Sequence, residues 1–232
     1  WISICTISDA PPRLPLALGG PCWFRGARGL EGFTTAPPED KHGIRLSNTA
    51  ALFLDDVVVP AENLIGGVEG RGLVQAQQVF GYTRVMVAAF GLGGGWAAME
   101  RAITYSQNRE QGGSLLAEKQ GIQWMIADST MELYQCKLMV LHAAYKIDRG
   151  QSFTSEVSMA KHFVANALNR IIDRAIQVHG ALGYSTDTPL AHMATQARWA
   201  RFADGADEVH QWRIAQRAIE AEIRPDDPDI VP

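Results

Sequence analysis

Cysteine is scarce: Cys5, Cys22 and Cys136 are the only three in 232 residues. An odd number of widely spaced thiols with no C-x-x-C pair argues against a disulfide framework and fits a reducing compartment. Long apolar runs are missing too, none approaching the ~18 residues that a membrane span requires. Lys and Arg total 21 against 25 Asp and Glu, and they form no basic stripe, so the electrostatic footprint of a nucleic-acid-binding protein is absent. The six histidines contain no H-E-x-x-H pair, and D-E-V-H at Asp207 to His210 lacks further ligands, so nothing points to a metal; no Ser-centred nucleophile elbow occurs either. Proline is absent between Gly72 and Pro189. A span of that length, rich in Ala, Leu, Met, Gln and Glu, leaves helix as its regular structure. The chain opens on Trp1 rather than Met and reads like the middle of something, the expectation being a fragment of a longer protein.

What is present falls into two parts. Residues 1–48 hold Pro11, Pro12, Pro15, Pro21, Pro37 and Pro38 and many glycines, a loop-rich composition with weak alternation over Trp1 to Ile7. The run A-L-F-L-D-D-V-V-V-P, closed by Pro60, reads as two short strands around a tight turn at Asp55 and Asp56. Helices are expected from about Leu73 to Gln107, from a turn at Gln111 to Ser114 on to about Arg149, and from Thr154 or Ser155, as N-cap, to Val178. The apolar face of the second is Ile122, Met125, Ile126, Leu133, Met139, Val140, Ala143 and Ile147. That of the third is Val157, Ala160, Val164, Leu168, Ile171, Ala175 and Val178. Shorter helices follow over Thr188 to Arg201 and Asp207 to Ile223, which makes a bundle of three long antiparallel helices with two short ones. The G-L-G-G-G run at Gly91 to Gly95 fails the spacing of a phosphate loop and reads as close helix packing.

Asp204 is the candidate for chemistry. It follows apolar Phe202 and Ala203 and precedes Gly205 and Ala206, small residues that let a backbone pass close to a ligand. Two roles stay open from the residues alone, an N-cap for the last helix and a base in apolar surroundings. A base with no electrophile nearby needs a cofactor to take the electrons.

Four separated segments, taken in order, resemble one family. V-V-V-P-A-E-N-L-I-G-G-V-E-G-R-G (Val57 to Gly72) is similar to the strand end and first C-terminal helix entry of the acyl-CoA dehydrogenases. Y-S-Q-N-R (Tyr105 to Arg109) with Gln120 resembles their Y-x-x-x-R and following Gln. A-I-Q-V-H-G-A-L-G-Y (Ala175 to Tyr184) resembles A-I-Q-I-H-G-G-x-G-Y, and A-R-W-A-R-F-A-D-G-A lies over the segment ending in Tyr-Glu-Gly-Thr. The match covers about Gly43 to Ile223. It implies a mainly α chain, a C-terminal four-helix-bundle domain of acyl-CoA dehydrogenase type preceded by a remnant of a β-barrel-like domain. The boundaries expected are 1–68 for an incomplete β-domain, with 1–42 poorly ordered or divergent, 69–226 for the helical domain and 227–232 for a tail.

The resemblance implies FAD as cofactor, an acyl-CoA substrate, an electron-transfer flavoprotein or similar acceptor, and a homo-oligomer, dimer or tetramer. It puts Asp204 at the family's Glu base and Thr83, which cannot serve, at the alternative base position. It puts Arg84, Ala203 and Gly205 beside the substrate, and Arg109, Gln120, Gln177, Gly180, Ala181, Ala206 and Glu208 at the cofactor, partly from a neighbouring subunit. Departures are Gly112 for the aromatic of R-x-x-F-G, Ala206 for Thr and Glu208 for Gln, which imply altered flavin contacts. The wording A-D-G-x-D-E-V-H is similar to an Asp-bearing branch of the family, its members ten and eleven. The alternative is a non-catalytic oligomerisation and FAD-nucleotide-binding fragment.

Overall fold

The structure, a computed structural model, describes residues 2–7, 21–26 and 29–223. The loop-rich reading of residues 8–20 and the tail at 227–232 lie outside the described residues. The chain divides into two compact units, one of residues 1–41 and 45–80, the other of 42–44 and 81–232.

The first unit holds short antiparallel pairs. β1 (Ile2–Ile7) pairs with β2 (Pro21–Gly26), Ile2 opposite Gly26, and β3 (Phe33–Thr35) pairs with β4 (Leu52–Leu54), Phe33 opposite Leu54. The expected strand–turn–strand around Asp55 and Asp56 does not form. Leu52 to Leu54 takes the earlier segment as partner, and the Asp55 amide donates to the Gly32 carbonyl at 3.0 Å, which turns the chain away before Val57 to Val59 can pair.

The second unit is a helical bundle. α1 (Gly72–Asn108), α2 (Gln120–Asp148), α3 (Thr154–His179) and α6 (Asp207–Ile223) are its long members, with α4 (Ala181–Tyr184) and α5 (Leu190–Ala197) between the last two. α1 ends in a two-residue hairpin, β5 (Glu110–Gln111) against β6 (Ser114–Leu115), whose turn needs the positive φ of Gly112 (61°) and Gly113 (79°). A 3₁₀ turn over Leu116–Glu118 then delays α2 to Gln120, later than the expected start.

α3 is the most enclosed element. Val157, Ala160, Val164, Leu168, Ile171, Ala175 and Val178, the expected stripe, are all buried. α1 approaches it through its glycines: a Cβ on Gly91 would lie 2.8 Å from Val164 Cγ1, and one on Gly94 3.2 Å from Leu168 Cδ1. The G-L-G-G-G run therefore serves helix packing, as expected. On α2 the buried set is Ser129, Leu133, Cys136, Val140 and Ala143, with Ile122, Met125 and Met139 packed against the core. Glu132 accepts from Arg170 at 2.6 Å and Arg174 at 2.7 Å, tying α2 to α3.

Two local expectations are corrected. The N-cap of α3 is Phe153, with no side-chain cap bond, so neither Thr154 nor Ser155 caps it. The helix expected over Thr188 to Arg201 is α5 followed by a 3₁₀ turn, Arg198–Arg201, because Pro189 takes the N-cap position and the chain tightens toward Asp204. Among the described residues no helix is long and apolar enough to cross a membrane.

Candidate active site

The turn from Phe202 to Ala206 joins the 3₁₀ turn to α6, and its shape is set from outside. Asp204 has φ 52° and Gly205 φ 112°, successive residues in left-handed backbone. Asp tolerates that region better than most L-residues. Gly205 is required, since a Cβ there would meet His210 Nε2 at 3.0 Å as well as carry the strained φ. The carbonyl of Ala206 accepts the first backbone bonds of α6, from Val209 at 3.0 Å and His210 at 3.2 Å. Ala206 is thus the cap residue and Asp204 lies outside the cap position, which removes one of the two roles left open for it.

Side chains from two helices hold this turn. Arg84 of α1 donates from Nε to the Asp204 carbonyl at 3.0 Å, and Lys161 of α3 donates from Nζ to the Gly205 carbonyl at 2.6 Å. Burial lowers the Arg84 pKa, opposed by the charge of Asp204 and reinforced by Arg213; an Arg stays cationic regardless. Lys161 has no exposed surface. Burial pulls its pKa down and Asp207 pushes it back. Asp207, buried, accepts at Oδ2 from Arg201 Nε at 2.8 Å and Asn166 Nδ2 at 3.0 Å, while its Oδ1 stands 3.6 Å from Lys161 Nζ and 3.5 Å from His162 Nδ1. Burial raises its pKa, and the bonds from Arg201 and Asn166 with the nearby cations outweigh that, leaving it below the usual carboxylate range. His210 is buried under Gly205, and burial, with Lys161 and Arg84 next in weight, lowers its pKa to about 4.

Between α1, α3, α5 and the 3₁₀ turn is an apolar cavity of about 340 Å³, lined among others by Val87, Phe90, Leu168, Trp199 and Ala200; neither Asp204 nor Arg84 lines it. The turn itself offers a half-buried Asp204 with two cations on its backbone carbonyls.

Arg84, Asp204 and Gly205 are thus brought together, with half-buried Ala203 and Ala206 in the same turn and exposed Glu208 in the first turn of α6. The remaining candidates are elsewhere. Arg109 follows α1, Gln120 opens α2, Gln177 is in the last turn of α3, and Gly180 and Ala181 follow it; all five are exposed. At a rise of about 1.5 Å per residue, Arg84 and Arg109 are about 37 Å apart along the bundle. The two sets therefore lie toward different ends of the bundle. The stack of Tyr105 on His179, centroids 4.3 Å apart, places the ends of α1 and α3 side by side. Gly180 has nothing within 4 Å of its missing Cβ, so a nucleotide can lie against this end without displacing packed atoms, and Arg109 is the residue type that grips a diphosphate. These residues fit that group.

The sequence reading did not single out Lys161, Asp207 or His210 as part of this cluster. A signal for Lys161 existed: it falls four residues after Val157 and three before Val164, on the apolar stripe.

A sequence profile described as "Acyl-CoA dehydrogenase, C-terminal domain" matches residues 70–219. The chain belongs to the acyl-CoA dehydrogenase family. It is 35% identical over 188 residues to the probable acyl-CoA dehydrogenase YngJ of Bacillus subtilis, covering 81% of this chain and 49% of that protein. To the short-chain specific acyl-CoA dehydrogenase of Megasphaera elsdenii it is 36% identical over 181 residues, covering 78% and 47%. Its fold is similar to the solved butyryl-CoA dehydrogenase of Megasphaera elsdenii with a TM-score of 0.86 at 32% identity, over 94% of this chain and 55% of that one. The chain spans about half the length of the curated relatives it matches.

Proposed function

We propose that the chain supplies the C-terminal helical domain of an FAD-dependent acyl-CoA dehydrogenase in which Asp204 removes the α-proton of an acyl-CoA thioester. The observation that carries this reading is the left-handed turn at Asp204 and Gly205, with its two carbonyls captured by Arg84 and Lys161. An acyl chain lying over this half-buried residue expels water from around the carboxylate, which makes a base stronger. The reaction takes two hydrogens from neighbouring carbons: the α-hydrogen passes as a proton to Asp204, and the electrons left on Cα form the new double bond as the β-hydrogen departs. The chemistry that FAD supplies when bound is acceptance of that β-hydrogen as hydride. Asp is one methylene shorter than the family's Glu, so the backbone at 204 must stand closer to the substrate; Gly205, with no side chain, allows it.

Arg109, Gln120, Gln177, Gly180 and Ala181 hold the nucleotide part of the cofactor, and Ala206 and Glu208 its flavin side. The 37 Å or so between Arg84 and Arg109 along α1 supports giving the two sets to different cofactors, with a second copy of the chain completing each site. The electrons leave to an electron-transfer flavoprotein or similar acceptor. The Asp-Gly-x-Asp-Glu-Val-His wording, similar to that of the Asp-bearing branch, supports membership of that branch.

Replacing Asp204 by Asn in the complete flavin-loaded protein tests the reading. Acyl-CoA-dependent flavin reduction should fall by at least about 10²-fold, the lower bound for a general base, with flavin still bound; retained turnover would overturn it. The narrower reading, a module that binds nucleotide and assembles without turnover, is favoured by the half-length coverage alone. It is excluded if these 232 residues by themselves reduce a dye in the presence of acyl-CoA.

A further inference from the structure

A lysine with no exposed surface needs a reason to be buried, because desolvating an ammonium is costly unless something compensates. The obvious partner, Asp207, does not account for Lys161. Asp207 already holds Arg201 at 2.8 Å and Asn166 at 3.0 Å through Oδ2, and its other oxygen stands 3.6 Å from Lys161 Nζ. The short bond of Lys161, 2.6 Å, goes instead to the carbonyl of Gly205, the residue after Asp204. The backbone there is in left-handed conformation at two successive residues, and an L-residue such as Asp204 has no intrinsic preference for it. What over-determines the turn is the capture of consecutive carbonyls by two cations, Arg84 on Asp204 from α1 and Lys161 on Gly205 from α3.

We infer that Lys161 is a positioning residue for the Asp204 base: its ammonium pins the Gly205 carbonyl from beneath, fixing where the Asp204 carboxylate stands and lending it a stabilising field. The inference rests on the reading of Asp204 as the base. The groups that face the turn are Arg84 and Arg213, Lys161 and His162 of α3, Arg201, and Asp207 and His210 of α6. Among them, Arg201 is engaged by Asp207 and His210 stays neutral above about pH 4, while Asp204 interacts electrostatically with Lys161 and with Arg84, the latter also neighboured by Arg213. The charge of Asp204 in turn favours the protonated form of Lys161. A hydrogen bond from an ionised donor is roughly twice as strong as one from a neutral donor, so the cation both holds the carbonyl more firmly and adds its field.

The test uses the complete flavin-loaded protein with three variants. Lys161→Met keeps the aliphatic stem and removes the ammonium. Flavin reduction should slow by about tenfold or more, through kcat rather than KM, and amide exchange across Ala203 to Ala206 should quicken by about tenfold, the last independent of turnover. Asp207→Asn removes a negative charge from the same cluster while leaving the bond to Gly205, so exchange across the turn should stay at the wild-type level. A merely structural role for the cluster predicts that both variants lose stability together and quicken exchange alike. The inference is overturned if Lys161→Met retains the wild-type rate and exchange, or if both variants quicken exchange across the turn alike. Asp204→Asn is measured beside them: turnover in that variant removes the base reading itself, whereas its loss alongside an unaltered Lys161→Met removes only the role of Lys161.

Discussion

Arg84 donates from Nε to the carbonyl oxygen of Asp204 at 3.0 Å, closing a contact across 120 residues between α1 and the turn before α6. The bond is to the backbone, so it fixes the residue without consuming the carboxylate. Lys cannot reproduce an Nε–H donor set back along the side chain with a planar fork beyond it. Arg84→Lys should therefore lower kcat/KM by about 10-fold to 100-fold, the equivalent of a charged hydrogen bond worth about 1.5–3 kcal/mol. The loss should appear mainly in kcat, with bound flavin unchanged. Steady-state kinetics and flavin absorbance check it, and a change confined to KM would assign Arg84 to substrate binding alone.

Two glycines of α1 separate packing from propensity. A Cβ on Gly91 would lie 2.8 Å from Val164 Cγ1, whereas one on Gly93 would meet nothing within 4 Å. Gly91→Ala should destabilise by about 1–3 kcal/mol through overpacking against α3. Gly93→Ala should stabilise by about 0.5–1 kcal/mol, the ordinary helix gain. Thermal midpoints of the two variants moving in the same direction would contradict this.

The contrast between these glycines also marks what was legible beforehand. The α3 stripe, the long proline-free helices and the packing role of the glycine run follow from periodicity and composition, which act over many residues at once. The β4 partner and the Phe153 cap were not legible, because each depends on one contact with a chain segment distant in sequence or on a cap without a side-chain bond. Asp204 stands out by its neighbours, yet the bonds that hold its turn, from Arg84 to Asp204 and from Lys161 to Gly205, span 120 and 44 residues. Lys161 interrupts the α3 stripe, but its partner, the carbonyl of Gly205, is 44 residues away and leaves no mark in the sequence. His210 was weighed only as a metal ligand; among the described residues no group of three His, Cys, Asp or Glu is gathered for a metal ion, and the ring is instead packed under Gly205.

The outer face of α2 carries a second apolar series. Trp124, Met131, Tyr134, Leu138, Leu141 and Tyr145 are between 50% and 64% exposed, and their spacing alternates by three and four after a first step of seven. That is the a/d seam of packed helices, and it lies opposite the face buried in the chain's own core. The second copy of the chain proposed above would seat on this seam. Leu138→Glu with Leu141→Glu should lower the mass in light scattering while the far-ultraviolet helix signal persists. An oligomer of undiminished mass would place the contact on another face.

His210 sets a pH dependence of stability. Burial, then the charges of Lys161 and Arg84, lower its pKa from 6.5 to about 4, against the pull of its hydrogen bond to the Asp204 backbone. The unfolded chain binds this proton near pH 6.5 and the native chain only near pH 4, so between those values unfolding takes up a proton. Stability from this group therefore rises with pH across that window, is fully present above about pH 7 and is lost on acidification. One pKa unit corresponds to about 1.4 kcal/mol, and about 2 kcal/mol disappears between pH 7.5 and pH 5. His210→Asn keeps an amide donor and removes the titration. Carboxylates elsewhere lose stability in both proteins alike, so the measurement is the difference: thermal unfolding of wild type and variant at pH 7.5, 6.5, 5.5 and 5.0. The gap between them should close by about 2 kcal/mol as the pH falls. Parallel curves would mean that the ring accepts a proton in place, and that the contact of His210 with Gly205 is not as dry as its burial implies.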